Sequence, residues 1–199
     1  MGSRVLLSAA SIVLDGCLMM PQTFAIEVHP SAEQVTSALE RGQAAAAART
    51  PPDRLYTWFG PDRDQTKPHG FLMTKLDALA VMSAHFGLRG LRPSDLERDE
   101  ALSDPHLLIS IILFGEHRDF AVDSYVLLLQ GDRKIIPAKV RSDGTATRSS
   151  AWPSSPAYRA KVVAFFAYTD FDPRAKTQLS VFPHGGGELS FDLDFAAIP

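Results

Sequence analysis

Two groups of residues near the C-terminal end have the types and spacing for chemistry. His184-Gly185-Gly186-Gly187 is the kind of glycine-rich run whose backbone N–H groups line the oxyanion hole of some lipases and esterases, and Asp192 and Asp194 follow it closely. An oxyanion hole needs a nucleophile opposite, in those enzymes a serine on a G-x-S-x-G elbow. No serine of this chain has a glycine two positions before it. A turn between two strands accounts for the glycines better, since they reach positive φ without steric cost. In "ELSFDLDF" the apolar residues Leu189, Phe191, Leu193 and Phe195 alternate with Ser190, Asp192 and Asp194, so a strand puts both carboxylates on its solvent side. With Asp170 and Asp172 they supply a few of the six to eight oxygens that calcium takes, but no EF-hand or repeated calcium motif is present. Histidines 29, 69, 85, 106, 117 and 184 include no H-E-x-x-H and no i, i+4 pair. Glu116-His117-Arg118-Asp119 reads first as a loop between strands. No catalytic residue, metal ligand or cofactor is assigned.

The remaining candidates are aromatic. Trp152 lies in "SDGTATRSSAWPSSPA", 142–157, a long polar connection of the kind that is either functional or disordered. Trp58 adjoins the polar stretch "GPDRDQTKPHG". A large ring on a polar loop can grip a partner or stack on a sugar, or it can fold back over a sheet edge. Trp152 and Trp58 are therefore the candidate binding residues.

The chain of 199 residues, 45% apolar with a formal charge of -3, suits a soluble globular protein with a real core. A pI near 6.0 and the lack of a dense basic run argue against nucleic acid as partner. Cys17 is the sole cysteine, so neither an internal disulfide nor a CxxC metal knuckle can form.

The first segment reads as an address. Arg4 and the free amine precede the apolar run Val5 to Leu14, the layout of a secretory signal and too short for a stable span. One exit is cleavage after Thr23-Phe24-Ala25. The other lies at Leu14-Asp15-Gly16-Cys17, which resembles the lipobox of bacterial lipoproteins, with Asp15 where a small apolar residue is usual. That resemblance, confined to the signal segment, implies an exported precursor acylated on Cys17. The protein would then be periplasmic or lipid-anchored at the cell envelope, and would reach a membrane only through that lipid.

Helices must come first in the mature chain. Ser31 with Gln34, Thr74 with Asp77 and Ser94 with Glu97 mark three helix starts, with a narrow stripe of small residues in 31–49. Such a stripe allows close approach but buries little area. "LYTWF" is a short strand. From Leu107 the pattern is β: "LLISIILF" suits a strand covered on both faces, and "YVLLLQ" and "RKIIPAKV" flank the Gly131-Asp132 turn, with Pro137 marking an edge or bulge. "YRAKVVAFFAY", "TQLSVF" and "ELSFDLDF" follow. The expected fold is α+β: signal segment 1–25, helical N-terminal region 26–103, and an antiparallel β-sandwich over 104–199 with an immunoglobulin-like topology. The function this implies is an exported, envelope-associated binding or structural module without catalytic activity, its partner an envelope protein or glycan. The alternative is a hydrolase or metal-dependent enzyme built from dispersed His and Asp residues.

Overall fold

Three helices form where the capping residues require them. In the computed structural model, which describes residues 25–61 and 66–198, these are α1 (Ala32–Ala47), α2 (Lys75–Gly87) and α3 (Asp95–Ser103). Each starts with a complete capping box, in which the N-cap side chain accepts from the N3 amide and the N3 side chain accepts from the N-cap amide. α2 runs through Gly87, and Leu88 caps it. The small stripe of α1 is buried against α2, with Ala38, Gly42, Ala45 and Ala46 facing Ala80, Ser83 and Ala84. A Cβ on Gly42 would stand 2.2 Å from the Ala80 carbonyl oxygen, so only glycine permits this approach.

The strand expected at "LYTWF" is present, but a second strand that the sequence did not announce also precedes α2, so the helices are not confined to the N-terminal side. β1 (Thr57–Phe59) and β2 (His69–Met73) lie between α1 and α2. β2 was hidden by its glycine and by the polar stretch before it. Gly70 is required there because a Cβ would meet the Ser110 carbonyl oxygen at 2.3 Å and the Phe59 ring at 2.5 Å. After α3 come β3 (His106–Gly115), β4 (Tyr125–Gln130), β5 (Arg133–Ile135), β6 (Lys139–Ser142), β7 (Thr147–Arg148), β8 (Tyr158–Ala167), β9 (Lys176–Phe182) and β10 (Leu189–Asp194).

These strands make two antiparallel sheets. Sheet I has the order β1-β2-β3-β8-β6, with β7 also pairing β8; sheet II has the order β10-β9-β4-β5. "RKIIPAKV" is not one strand: it divides at Pro137, with β5 at the edge of sheet II and β6 at the edge of sheet I. Proline lacks the N–H a ladder needs, which places the crossover there. The main core draws on both sheets, with Leu107, Ile109, Ile111 and Leu113 of β3, Val162 and Phe166 of β8, and Val126, Leu128, Leu179, Val181 and Leu193 of sheet II. Each such side chain contributes about 1.5–3 kcal/mol on burial. The fold is thus mixed α+β with two antiparallel sheets. The β9–β10 hairpin closes through the glycine run, where Gly186 has φ +93° and Gly187 +85°.

Candidate functional site

The two C-terminal candidates for chemistry stand apart from any shared centre. In the glycine turn, the Gly185 amide donates to the Phe120 carbonyl at 3.2 Å and the Gly186 amide to the Pro183 carbonyl at 3.0 Å. Donors already used in this way cannot receive an oxyanion. Asp192 and Asp194 are exposed on one face of β10 while Leu193 between them is buried. Asp194 accepts from the Ala196 amide at 3.1 Å, capping the short helical turn that ends the strand. Asp172 accepts from the Arg174 amide at 2.9 Å inside its own turn. Among the described residues no three His, Cys, Asp or Glu side chains gather as a metal-ligand set. Glu116 to Asp119 lie between β3 and β4, as expected of a loop.

Cys17 lies outside the described residues. Trp152 follows β7 and is 42% exposed, with the Arg148 guanidinium 3.9 Å from its ring centroid. Trp58, on β1, is 37% exposed; its Nε1 donates to the Asp53 carbonyl at 2.9 Å. Its ring meets Phe71 edge-on at 5.3 Å and lies 6.2 Å from His69. The two tryptophans are on opposite margins of sheet I, so they do not form one clamp.

Trp58 belongs to a larger surface that sequence reasoning missed. "LLISIILF" is not fully covered on both faces. Leu107, Ile109, Ile111 and Leu113 are sealed in the core, whereas Leu108, Ile112 and Phe114, on the other face, are only half-buried. The strand registers extend that second face into rows. One row is Trp58, Phe71, Ser110, Val163 and Arg141; beside it run Met73, Leu108, Phe165 and Lys139. On the other side come His69, Ile112 and Lys161, then Phe114 and Arg159. Ring contacts confirm the shared face: His69 lies 6.2 Å from Phe114, and the Arg141 guanidinium 5.9 Å from the Phe165 centroid. These rows carry no carboxylate. In their middle the Ser110 hydroxyl is buried without a hydrogen-bond partner.

At the His106 end, α2 and α3 stand across from this face and leave a cleft of about 370 Å³. Its walls are apolar, with Met73 and Leu108 from the sheet and Ala78, Met82 and Phe86 from α2. Lys75, Glu97, Glu100, Asp104 and His106 contribute the charged and polar positions. His106 Nδ1 lies 3.1 Å from Asp104 Oδ1. Tyr168 is buried in the lining, its hydroxyl facing the Lys75 backbone amide without a well-formed hydrogen bond, and the Lys75 ammonium lies 5.4 Å from its ring centroid. Burial pushes the Tyr168 hydroxyl far above the ordinary tyrosine range; the charges of Asp104 and Asp77 add to this, against the Lys75 backbone amide. It therefore stays protonated and can donate.

Asp77 looks catalytic in isolation but is a structural tie. Its carboxylate accepts from Arg41 of α1 at 3.0 Å and from the Thr57 hydroxyl of β1 at 3.1 Å, and it completes the α2 capping box. Burial raises its pKa, opposed by Arg41 and by the hydrogen bonds from Thr57 and Thr74. The capping box was legible in sequence; the partners from α1 and β1 required the fold.

No family of known proteins matches this chain, and no curated protein does either.

Proposed function

We propose that the protein is an exported, envelope-associated binding module without catalytic activity, and that it engages its partner on the half-buried face of sheet I. The carrying observation is that face itself: mostly aromatic and aliphatic residues across β1, β2 and β3, without a carboxylate, where a sheet facing water would alternate to polar side chains. The 370 Å³ cleft at its end, apolar with the buried Tyr168 in its lining, supports the same reading. Export through the first segment, with Cys17 as a lipid anchor, places the module at the envelope in this reading.

The scaffold in this proposal is an immunoglobulin-like sandwich. Taking β2, β3, β8 and β6 as strands A, B, E and D gives the order A-B-E-D in sheet I; β5, β4, β9 and β10 then read C′-C-F-G in sheet II. α2 and α3 become an insertion between A and B. Sandwiches of this kind commonly serve as recognition scaffolds, although fold alone assigns no partner.

Sedimentation of the protein with its native envelope fraction tests the reading. In the Cys17→Ser background, where no acyl chain holds the protein, Ile112→Asp or Phe114→Asp should release it into the supernatant while Asp192→Asn leaves it bound. Equal retention of all three, in folded protein, contradicts the proposal.

A further inference from the structure

Cations are confined to one side of this face. Lys139 and Arg141 project from the edge strand β6, and Lys161 and Arg159 from β8 beside it; all four are exposed. None of them has an ion-pair partner among the described residues, whereas Arg41 and Arg98 each have one. At that edge Asp143 accepts the Lys161 backbone amide at 2.8 Å. These four exposed cations lie together on β6 and β8 of a chain whose formal charge is -3. Beyond the helices, the face also presents Ile112 and Phe114 of β3 and His69 of β2, with Trp58 of β1 on the flank opposite the cations. On the other flank β7 pairs the Arg159 end of β8 and leads to exposed Trp152 under Arg148.

We infer that this face of sheet I docks onto an anionic lipid surface, a contact separate from any acyl chain on Cys17. The inference rests on the reading of the face as a binding surface and names its occupant. Exposed cations beside aliphatic side chains and tryptophans match an anionic headgroup layer over an apolar interior, where tryptophan settles at the boundary. A glycan would use the rings and the charges but would leave Ile112, Val163 and Phe114 without an apolar partner. An acidic protein segment could engage the cations, but their spread along two adjacent strands suits a plane of headgroups. Each cation near such a surface strengthens binding about fivefold, so four together give several hundredfold at low salt.

The tryptophans provide the readout. In the full chain carrying Trp152→Phe, Trp58 is the sole tryptophan. Its fluorescence should be quenched by vesicles of brominated-acyl phosphatidylglycerol and not by brominated phosphatidylcholine, and 0.5 M salt should relieve the quenching. Lys139→Gln, Arg141→Gln, Arg159→Gln and Lys161→Gln together should abolish it even where the first segment keeps the chain on the vesicle. If that variant does not fold, the salt series on the otherwise unaltered protein decides. Absent quenching, or equal quenching by both lipids, overturns the inference. So does binding of soluble polyphosphate as tight as vesicle binding without quenching. If Trp58 is not quenched yet the four-glutamine variant still leaves the native envelope fraction, the lipid inference fails and the binding face stands.

Discussion

The two sheets share a core but turn different surfaces away from it. On sheet II, β9 and β10 show Lys176, Gln178, Ser180, Ser190, Asp192 and Asp194, with Leu127, Leu129, Tyr125 and Phe182 along one side. Ser180 is buried there, yet its hydroxyl is satisfied, donating to Glu188 at 2.9 Å. On sheet I the corresponding positions of β2, β3 and β8 are mostly aromatic or aliphatic, and the buried hydroxyl of Ser110 has no partner. On β10 and most of β9, sheet II thus uses alternation to meet water, while β4 keeps apolar residues on both faces. Sheet I lacks that alternation where the core does not need apolar residues, which is why we assign its surface to a partner.

The largest expected effect separates the two faces of β3. Ile111→Ala should lower stability by about 2–5 kcal/mol, as for other sealed core positions, while Ile112→Ala should cost less than half as much. Equal losses in denaturant melts would mean that the second face is core after all. The wall at the end of this face depends on Asp77. Because burial raises its folded pKa above the unfolded value of about 4, its contribution to stability is complete below that value and is lost as pH rises through the folded one. Asp77→Asn removes the titration, so the stability gap between unaltered protein and variant should widen as pH falls from 7 toward 4. A gap that narrows would show that Arg41 and the threonine hydrogen bonds outweigh burial.

On sheet II the effects are smaller. Gly186→Ala or Gly187→Ala should each cost about 1 kcal/mol, since both residues hold positive φ; nothing crowds a Cβ at either, so strain alone acts. Gly185→Ala should cost less. Asp192→Asn should change the unfolding midpoint within about 0.5 kcal/mol, as at other exposed sites. A loss of more than 2 kcal/mol would give that aspartate a role the structure does not.

Elements with local signals were legible in the sequence. Three capping boxes located three helices, Gly131-Asp132 located a hairpin, and strict alternation put Asp192 and Asp194 on the outside. What failed depends on distant pairing. β2 is short and centred on a glycine whose purpose, letting Phe59 and Ser110 approach, appears only in the folded sheet. The break at Pro137 between two sheets looks from sequence like one irregular strand. "LLISIILF" states that both faces of β3 are apolar, but not that one remains half-uncovered. Trp58 was singled out for its loop, whereas its surroundings come from Phe71 and His69 across the sheet.

Hydroxyl-radical footprinting of the protein in its native envelope, compared with the purified protein, tests the binding face most directly. Phe114, Phe71 and Trp58 on sheet I should be protected in the envelope, with Tyr125 and Phe182 on sheet II labelled equally in both states. Protection of Tyr125 and Phe182, with Phe114 and Phe71 unchanged, would put the partner on the opposite sheet and contradict the account.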